Sequence, residues 1–184
     1  MKATGIVRRI DDLGRVVIPK EIRRTMRIRE GDPLEIYTDR EGEVIFKKYS
    51  PIGEMASFAA QYAETLQKIC SMAVVITDRD AVIASAGVSR KEYGERKVSY
   101  EMEKLMEKRN LYVHKDGGEK FSVIDDGNAH FVSCAMPIVC EGDVIGAVCS
   151  VMPEGEDAER KLSEEVETKL IQTAANFLSR QLDA

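Results

Sequence analysis

The sequence predicts an α+β chain of two domains. Residues 1–50 form a small β-rich domain, residues 55–184 an antiparallel sheet flanked by helices, and residues 51–54 a linker. Three observations predict this. Basic residues crowd the start of the chain, while the remainder is acidic. Short β-rich runs alternate with turn residues, and helical periodicity is confined to a few segments. The run Tyr49-Ser50-Pro51-Ile52-Gly53 interrupts both patterns with a Pro and a Gly.

The first domain opens with Thr4, Ile6, Val7 and Ile10 around Arg8 and Arg9, a β-rich run. Asp11-Asp12-Leu13-Gly14 is a turn, with Gly supplying backbone freedom. Val16-Val17-Ile18 is a continuous apolar run, as expected of a strand covered on both faces. Pro19 starts a short helix whose acid, Glu21, suits the positive end of the dipole. Ile22 and Met26 give that helix one apolar face and leave Arg23, Arg24 and Arg27 on the others. After the turn at Glu30-Gly31-Asp32, Leu34–Tyr37 and Val44–Phe46 read as strands across Asp39–Gly42. A domain of about 50 residues rarely supplies enough core by itself, and oligomerisation is a usual remedy. An intertwined dimer is therefore expected.

In the second domain, Met55, Phe58, Ala59, Tyr62, Leu66 and Ile69 repeat at helical spacing. Ala73–Thr77 and Ala81–Ala84 predict a hairpin around Asp78-Arg79-Asp80. Residues 99–109 read as helix and Phe121–Ile124 as a strand. His130–Val139 and Val144–Met152 read as two long strands. A last helix is expected over 157–182, roughly 39 Å long at about 1.5 Å per residue. Together with the 54–69 helix it is expected to pack on further subunits as well as on its own sheet.

The charge asymmetry points to a partner. Residues 1–29 carry nine basic side chains (Lys2, Arg8, Arg9, Arg15, Lys20, Arg23, Arg24, Arg27, Arg29) against three acids, a net +6. Residues 51–184 carry 15 basic and 23 acidic residues, a net −8. A local basic patch on an acidic chain suits a polyanion, which the acidic part would repel. No apolar stretch reaches the roughly 18 residues of a membrane helix, and no signal peptide is expected. Cys70, Cys134, Cys140 and Cys149 lie in or beside apolar runs without a C-x-x-C pair. They read as reduced core residues of a cytoplasmic protein, with no metal site. Asp11 and Asp12 make a turn rather than an acid–base pair, and Gly5, Gly14 and Gly31 make no phosphate loop. His130 is expected at a strand end and His114 on the surface. No catalytic residue is expected.

The run from Thr4 to Arg23, with Gly31-Asp32-Pro33-Leu34-Glu35-Ile36, resembles the AbrB-like swapped-hairpin DNA-binding domain over about residues 1–50. The resemblance implies a β-barrel made by two chains that interleave their hairpins. It also implies that Arg8, Arg15, Arg23 and Arg24 face double-stranded DNA, with Arg9 and Lys2 as further candidate contacts. Arginine can grip a phosphate or a guanine edge, and the residues leave both open. With no helix-turn-helix motif, readout by DNA shape is expected, with the A·T-rich preference of the family.

Val74–Asp80 and the pattern from Pro137-Ile138 to Gly142 and Ile145-Gly146-Ala147-Val148 are similar to a GAF domain, a small-molecule sensor fold. The resemblance implies an effector, unidentified, held between the sheet and residues 88–128. A pure assembly module without an effector is the alternative. The two parts together resemble a family of tetrameric transcription regulators of sporulation in endospore-forming bacteria. Such a protein is expected on the nucleoid. An antitoxin or other partner-binding protein built on the same hairpin domain is the runner-up. A GAF-fold enzyme that reduces methionine sulfoxide through cysteines is a more distant one.

Overall fold

The computed structural model describes residues 4–127, 129–155 and 162–182. The chain divides between Tyr49 and Ser50 into two compact units.

In the first unit, residues 4–10 and 16–18 have no strand partners, although both read as β structure in the sequence. A strand needs a neighbour for its backbone hydrogen bonds, and no described segment of the same unit takes that place. Val16 is 42% and Val17 69% exposed, so the cover expected on both faces is missing among the described residues of this unit. Pro19 precedes helix α1 (Lys20–Thr25), which has Glu21 in its first turn and Arg23 and Arg24 in its last. Its apolar face is weaker than expected, because Met26 lies at the C-cap and is more than half exposed. Strands β1 (Leu34–Thr38) and β2 (Val44–Lys48) pair antiparallel from Leu34↔Lys48 to Thr38↔Val44. The Asp39 carboxylate shapes their turn by accepting from the amides of Glu41 and Glu43 at 3.0 and 2.9 Å.

The second unit starts with α2 (Pro51–Glu54), a helical turn where the sequence predicts a linker. Its Ile52 is fully buried, and that burial turns the segment into part of the core. Helix α3 (Ala56–Cys70) follows, then strands β3 (Ala73–Asp78) and β4 (Val82–Ala86) in the expected hairpin. Helices α4 (Arg90–Tyr93) and α5 (Tyr100–Glu107) lead to β5 (Tyr112–Val113). Strands β6 (His130–Cys140) and β7 (Asp143–Pro153) and helix α6 (Glu164–Leu182) complete the unit. The sheet is antiparallel in the order β4-β3-β7-β6-β5.

Two expectations fail here. Phe121–Ile124 is not a strand: it contributes one isolated bridge, Val98↔Ile124, and Tyr112–Val113 takes the sheet edge by pairing with Cys134–Ala135. Helix α6 begins at Glu164, so its described length is about 28 Å at about 1.5 Å per residue. Residues 156–161, part of the predicted helix, lie outside the described residues.

Both faces of the sheet are covered. Ala59, Ala63 and Leu66 of α3 and Ile171, Ala174 and Leu178 of α6 cover one face, with Val74, Ile76 and Val148 beneath them. Tyr93, Val98, Met102 and Val123 cover the other, over Val75, Ala147 and Cys149. Backbones approach closely at Gly146, where an added Cβ would lie 2.0 Å from the Thr77 carbonyl oxygen.

Candidate nucleic-acid interface

The arginines of the first unit sit on three kinds of backbone. Arg8 and Arg9 are exposed on the unpaired segment before the turn. Arg15 is held by Asp11. One Asp11 oxygen accepts from the amides of Leu13 (3.0 Å) and Arg15 (2.8 Å), and the other accepts from Arg15 Nε at 2.8 Å. The turn closes with the Gly14 amide donating to the Asp11 carbonyl at 3.0 Å, which the positive φ of Gly14 permits. The Arg15 amide, then the Arg15 side chain, hold the Asp11 carboxyl below its ordinary value, with the Leu13 amide adding to them against desolvation.

Arg23 and Arg24 are consecutive on α1. Arg24 is exposed, whereas Arg23 is half-buried and its Nε has no hydrogen-bond partner among the described residues. Lys2 lies outside the described residues. The corner after α1 is tied by Asp32, whose side chain is 5% exposed: it accepts from the Arg29 amide at 2.7 Å and faces Lys48 Nζ at 3.7 Å. Lys48 also donates to the Arg27 carbonyl at 2.9 Å. The sequence places Asp11 in a turn with a basic neighbour without naming Arg15 as the partner, and it gives no role to Asp32. The spacing of four between Asp11 and Arg15 was the available signal, since an Asx side chain ahead of a turn captures the amides that follow. For Asp32, whose partner Lys48 is distant in sequence, there was none.

In the second unit, Tyr93, Val98, Met102 and Val123 are fully buried between the sheet and residues 88–127. Tyr93 is fully buried there, and burial pushes its hydroxyl up to about 12, with the charges of Glu92 and Cys149 adding and the Ser122 hydroxyl opposing. Ser122 lies beside the phenol without a well-formed hydrogen bond to it. His130 stands at the strand end as expected, edge-on to Tyr93, with its Nδ1 unpartnered among the described residues. His114 is buried, not exposed as expected: it packs edge-on against Phe131 and its Nδ1 lies 3.4 Å from the Tyr112 hydroxyl. Cys134 and Cys149 are buried, and burial, then Cys134, pushes the Cys149 thiol up. Cys70 and Cys140 are only half-buried. Among the described residues, no three His, Cys, Asp or Glu side chains gather to hold a metal, and no helix is long and apolar enough to cross a membrane.

Comparison with known proteins places these features in context. Residues 54–183 match a family model described as "Stage V sporulation protein T C-terminal, transcription factor". Residues 7–53 match one described as "Antidote-toxin recognition MazE, bacterial antitoxin". The chain is 50% identical over 186 residues to Stage V sporulation protein T of Bacillus subtilis (strain 168), covering 100% of this chain and 99% of that one. It is 65% identical over 51 residues to the transition state regulatory protein AbrB of the same organism, covering 28% of this chain and 52% of AbrB. The solution structure of the N-domain of the transcription factor abrB shares 65% identity over 28% of this chain and 96% of that one, with a TM-score of 0.26. A methyl-accepting chemotaxis protein fragment, residues 122 to 287, covers 70% of this chain and 88% of its own at 15% identity and a TM-score of 0.53, a likeness of fold alone. Half of the residues agree with one relative along the whole length, and a family model spans nearly all of the second unit. The chain therefore belongs to the stage V sporulation protein T family of transcription factors.

Proposed function

We propose that this chain regulates sporulation genes by binding double-stranded DNA through paired copies of its first unit. The observation that carries the reading is the mismatch inside that unit. Among residues 4–49 only Pro19 is buried, while Val7, Ile10, Leu13, Val17 and Ile36 are more than 60% exposed. A unit with this much uncovered apolar surface is not stable alone. A second copy supplies both cover and strand partners for residues 4–10 and 16–18, closing a swapped-hairpin barrel with two-fold symmetry. Two net +6 segments then share one surface, on which Arg8, Arg9, Arg15, Arg23, Arg24 and Lys2 meet DNA phosphates and base edges. The 65% identity to AbrB over this segment supports the reading.

Replacing Arg15 and Arg23 with Ala tests it. Each phosphate that the variant no longer neutralises lowers the salt slope by about 0.9. DNA affinity and salt slope unchanged in the double variant would sink the assignment.

The second unit acts as a GAF-like regulatory and assembly domain in this reading, and the regulator works in the cytoplasm on the nucleoid. Phe177 on α6 is 38% exposed and is stacked on Tyr62 of α3 at 5.6 Å, with Phe58 at 5.8 Å. Val166 and Ile69 add exposed apolar surface on the same two helices. These helices join two dimers into a tetramer. Truncation at residue 170 is unsuited to testing this, because it removes Ile171, Ala174 and Leu178 from the core. Phe177→Asp with Val166→Lys tests it by sizing: dimers are expected, and tetramers would refute the bundle.

The antitoxin reading draws on the match over residues 7–53. It leaves unexplained a folded second unit that matches a transcription-factor family. The sulfoxide-reductase reading needs a reactive thiolate. Cys134 is 1% exposed and Cys149 is fully buried with its thiol pushed up, which argues against these two as reactive thiols, while the match to a transcription-factor family favours a non-enzymatic protein.

A further inference from the structure

Among the described residues, Arg15 is the one arginine assigned to DNA that a carboxylate holds; Arg8, Arg9, Arg23 and Arg24 have no such partner there. The two oxygens of its partner, Asp11, are divided between two tasks. One accepts from the Leu13 and Arg15 amides and shapes the turn, and the other accepts from Arg15 Nε at 2.8 Å. The Nε bond takes one of the guanidinium N–H donors. The Arg15 side chain is still 69% exposed, so the remaining donors are open to a partner.

The turn does not depend on the Nε bond. The Asp11 amide donates to the Arg15 carbonyl at 3.1 Å, and the Gly14 amide donates to the Asp11 carbonyl at 3.0 Å. All these contacts are local to residues 11–15, so a second copy is not needed to make them. An exposed ion pair of this kind contributes little to stability. What it changes is the guanidinium. A free arginine on a mobile stem can follow any phosphate, whereas a pinned one offers its planar fork in one direction. The carboxylate beside it also repels phosphate oxygens. Asp12, next in the chain, is exposed and has no partner among the described residues, so it supplies the same charge without the pin.

We propose that Asp11 is a specificity-determining positioning residue that acts through Arg15. Pinning Nε directs the remaining donors to one position on the duplex, and the negative charge penalises backbone phosphates elsewhere. Asp11 therefore lowers sequence-independent binding and raises discrimination between sequences, joining an orienting and a repulsive element in one side chain. The proposal rests on the DNA-binding reading above.

The full wild-type chain first selects from a pool of randomised DNA duplexes. The most enriched duplex and a shuffled duplex of the same composition then serve as probes for every variant. Asp11→Asn keeps an oxygen for the two turn amides but replaces the oxygen that holds Nε with a donor. It should bind the shuffled duplex about two- to fivefold more tightly, because a repelling charge is gone. Its enriched-to-shuffled affinity ratio should fall roughly fivefold or more, as the oriented contact is lost. Asp12→Asn should also tighten binding to the shuffled duplex, yet keep the ratio within about twofold of wild type. In an Arg15→Ala background, Asp11→Asn should leave the ratio unchanged, because the pin has nothing to hold. Equal losses on both duplexes in Asp11→Asn would assign Asp11 to the turn alone and overturn the proposal. So would a ratio kept as well as in Asp12→Asn, which would assign it to charge alone. A wild type that binds no duplex sinks the DNA-binding reading and this proposal with it. A wild type that discriminates no better than Asp11→Asn sinks the positioning role alone.

Discussion

The Ser150 hydroxyl donates to the Glu167 carboxylate at 2.5 Å, inside the core between strand β7 and helix α6. Ser150 is 1% and Glu167 5% exposed, so a carboxyl group is buried where α6 crosses the sheet. A buried carboxylate is tolerated only with hydrogen-bond partners, and removing one leaves a desolvation cost of about 1–3 kcal/mol. Ser150→Ala should therefore destabilise the second unit by about that amount, read as a lower urea midpoint. A Ser150→Ala chain as stable as wild type would show that the pair does not hold α6 in place.

Gly146 should tolerate no side chain. An added Cβ would lie 2.0 Å from the Thr77 carbonyl oxygen and 3.1 Å from the Asp78 Cα, both backbone atoms that cannot swing away. Overpacking of this kind costs about 1–3 kcal/mol, sometimes more. Gly146→Ala should lower the melting temperature of the second unit. An unchanged melting temperature would mean that β3 and β7 separate more easily than their register indicates.

Asp11 should titrate as part of the turn that it holds. Its carboxyl is held below the ordinary 3.8 chiefly by the Arg15 amide and side chain. A depressed folded value means that the stabilisation is fully present above about 3.8 and is lost as pH falls through the lower folded value. In an acid titration followed by NMR, the Leu13 and Arg15 amide signals should move together with a midpoint below 3.8, and Asp11→Ala should abolish the movement. Midpoints at or above 3.8 would refute the hydrogen-bonded turn.

Thiol reagents should divide the four cysteines into two classes. Cys70 and Cys140 are half-buried, whereas Cys134 and Cys149 are buried in β6 and β7, with the Cys149 thiol pushed up by burial. Alkylation of the native chain, followed by peptide mass mapping, should modify the first two and spare the others. Labelling of Cys149 at a rate matching Cys70 would reopen the reductase reading.

Much of the second unit was legible because its periodicities are strong. The 3.6-residue pattern of Phe58, Ala59, Tyr62 and Leu66 and the long apolar runs of β6 and β7 yield helix and strands without tertiary help. Short segments were not legible. Phe121–Ile124 and Tyr112–Val113 have similar β propensity, and which of them joins the sheet depends on the neighbour at β6. His114 and Ile52 were misplaced for the same reason: burial is a property of what packs on a residue, not of the residue.

The sequence by itself determined the division into a basic and an acidic part, the turn at Asp11–Gly14, the Pro19 helix start and the arginines, since charge and turn chemistry are local properties. It also determined the family, through motifs read in order. Only the tertiary structure decided that Glu167 is buried against Ser150 and that the supposed linker is a helical turn pinned to Asp78. The contacts of Glu167 and Ser50 join residues far apart in sequence, whose approach depends on how the whole sheet closes rather than on any local preference.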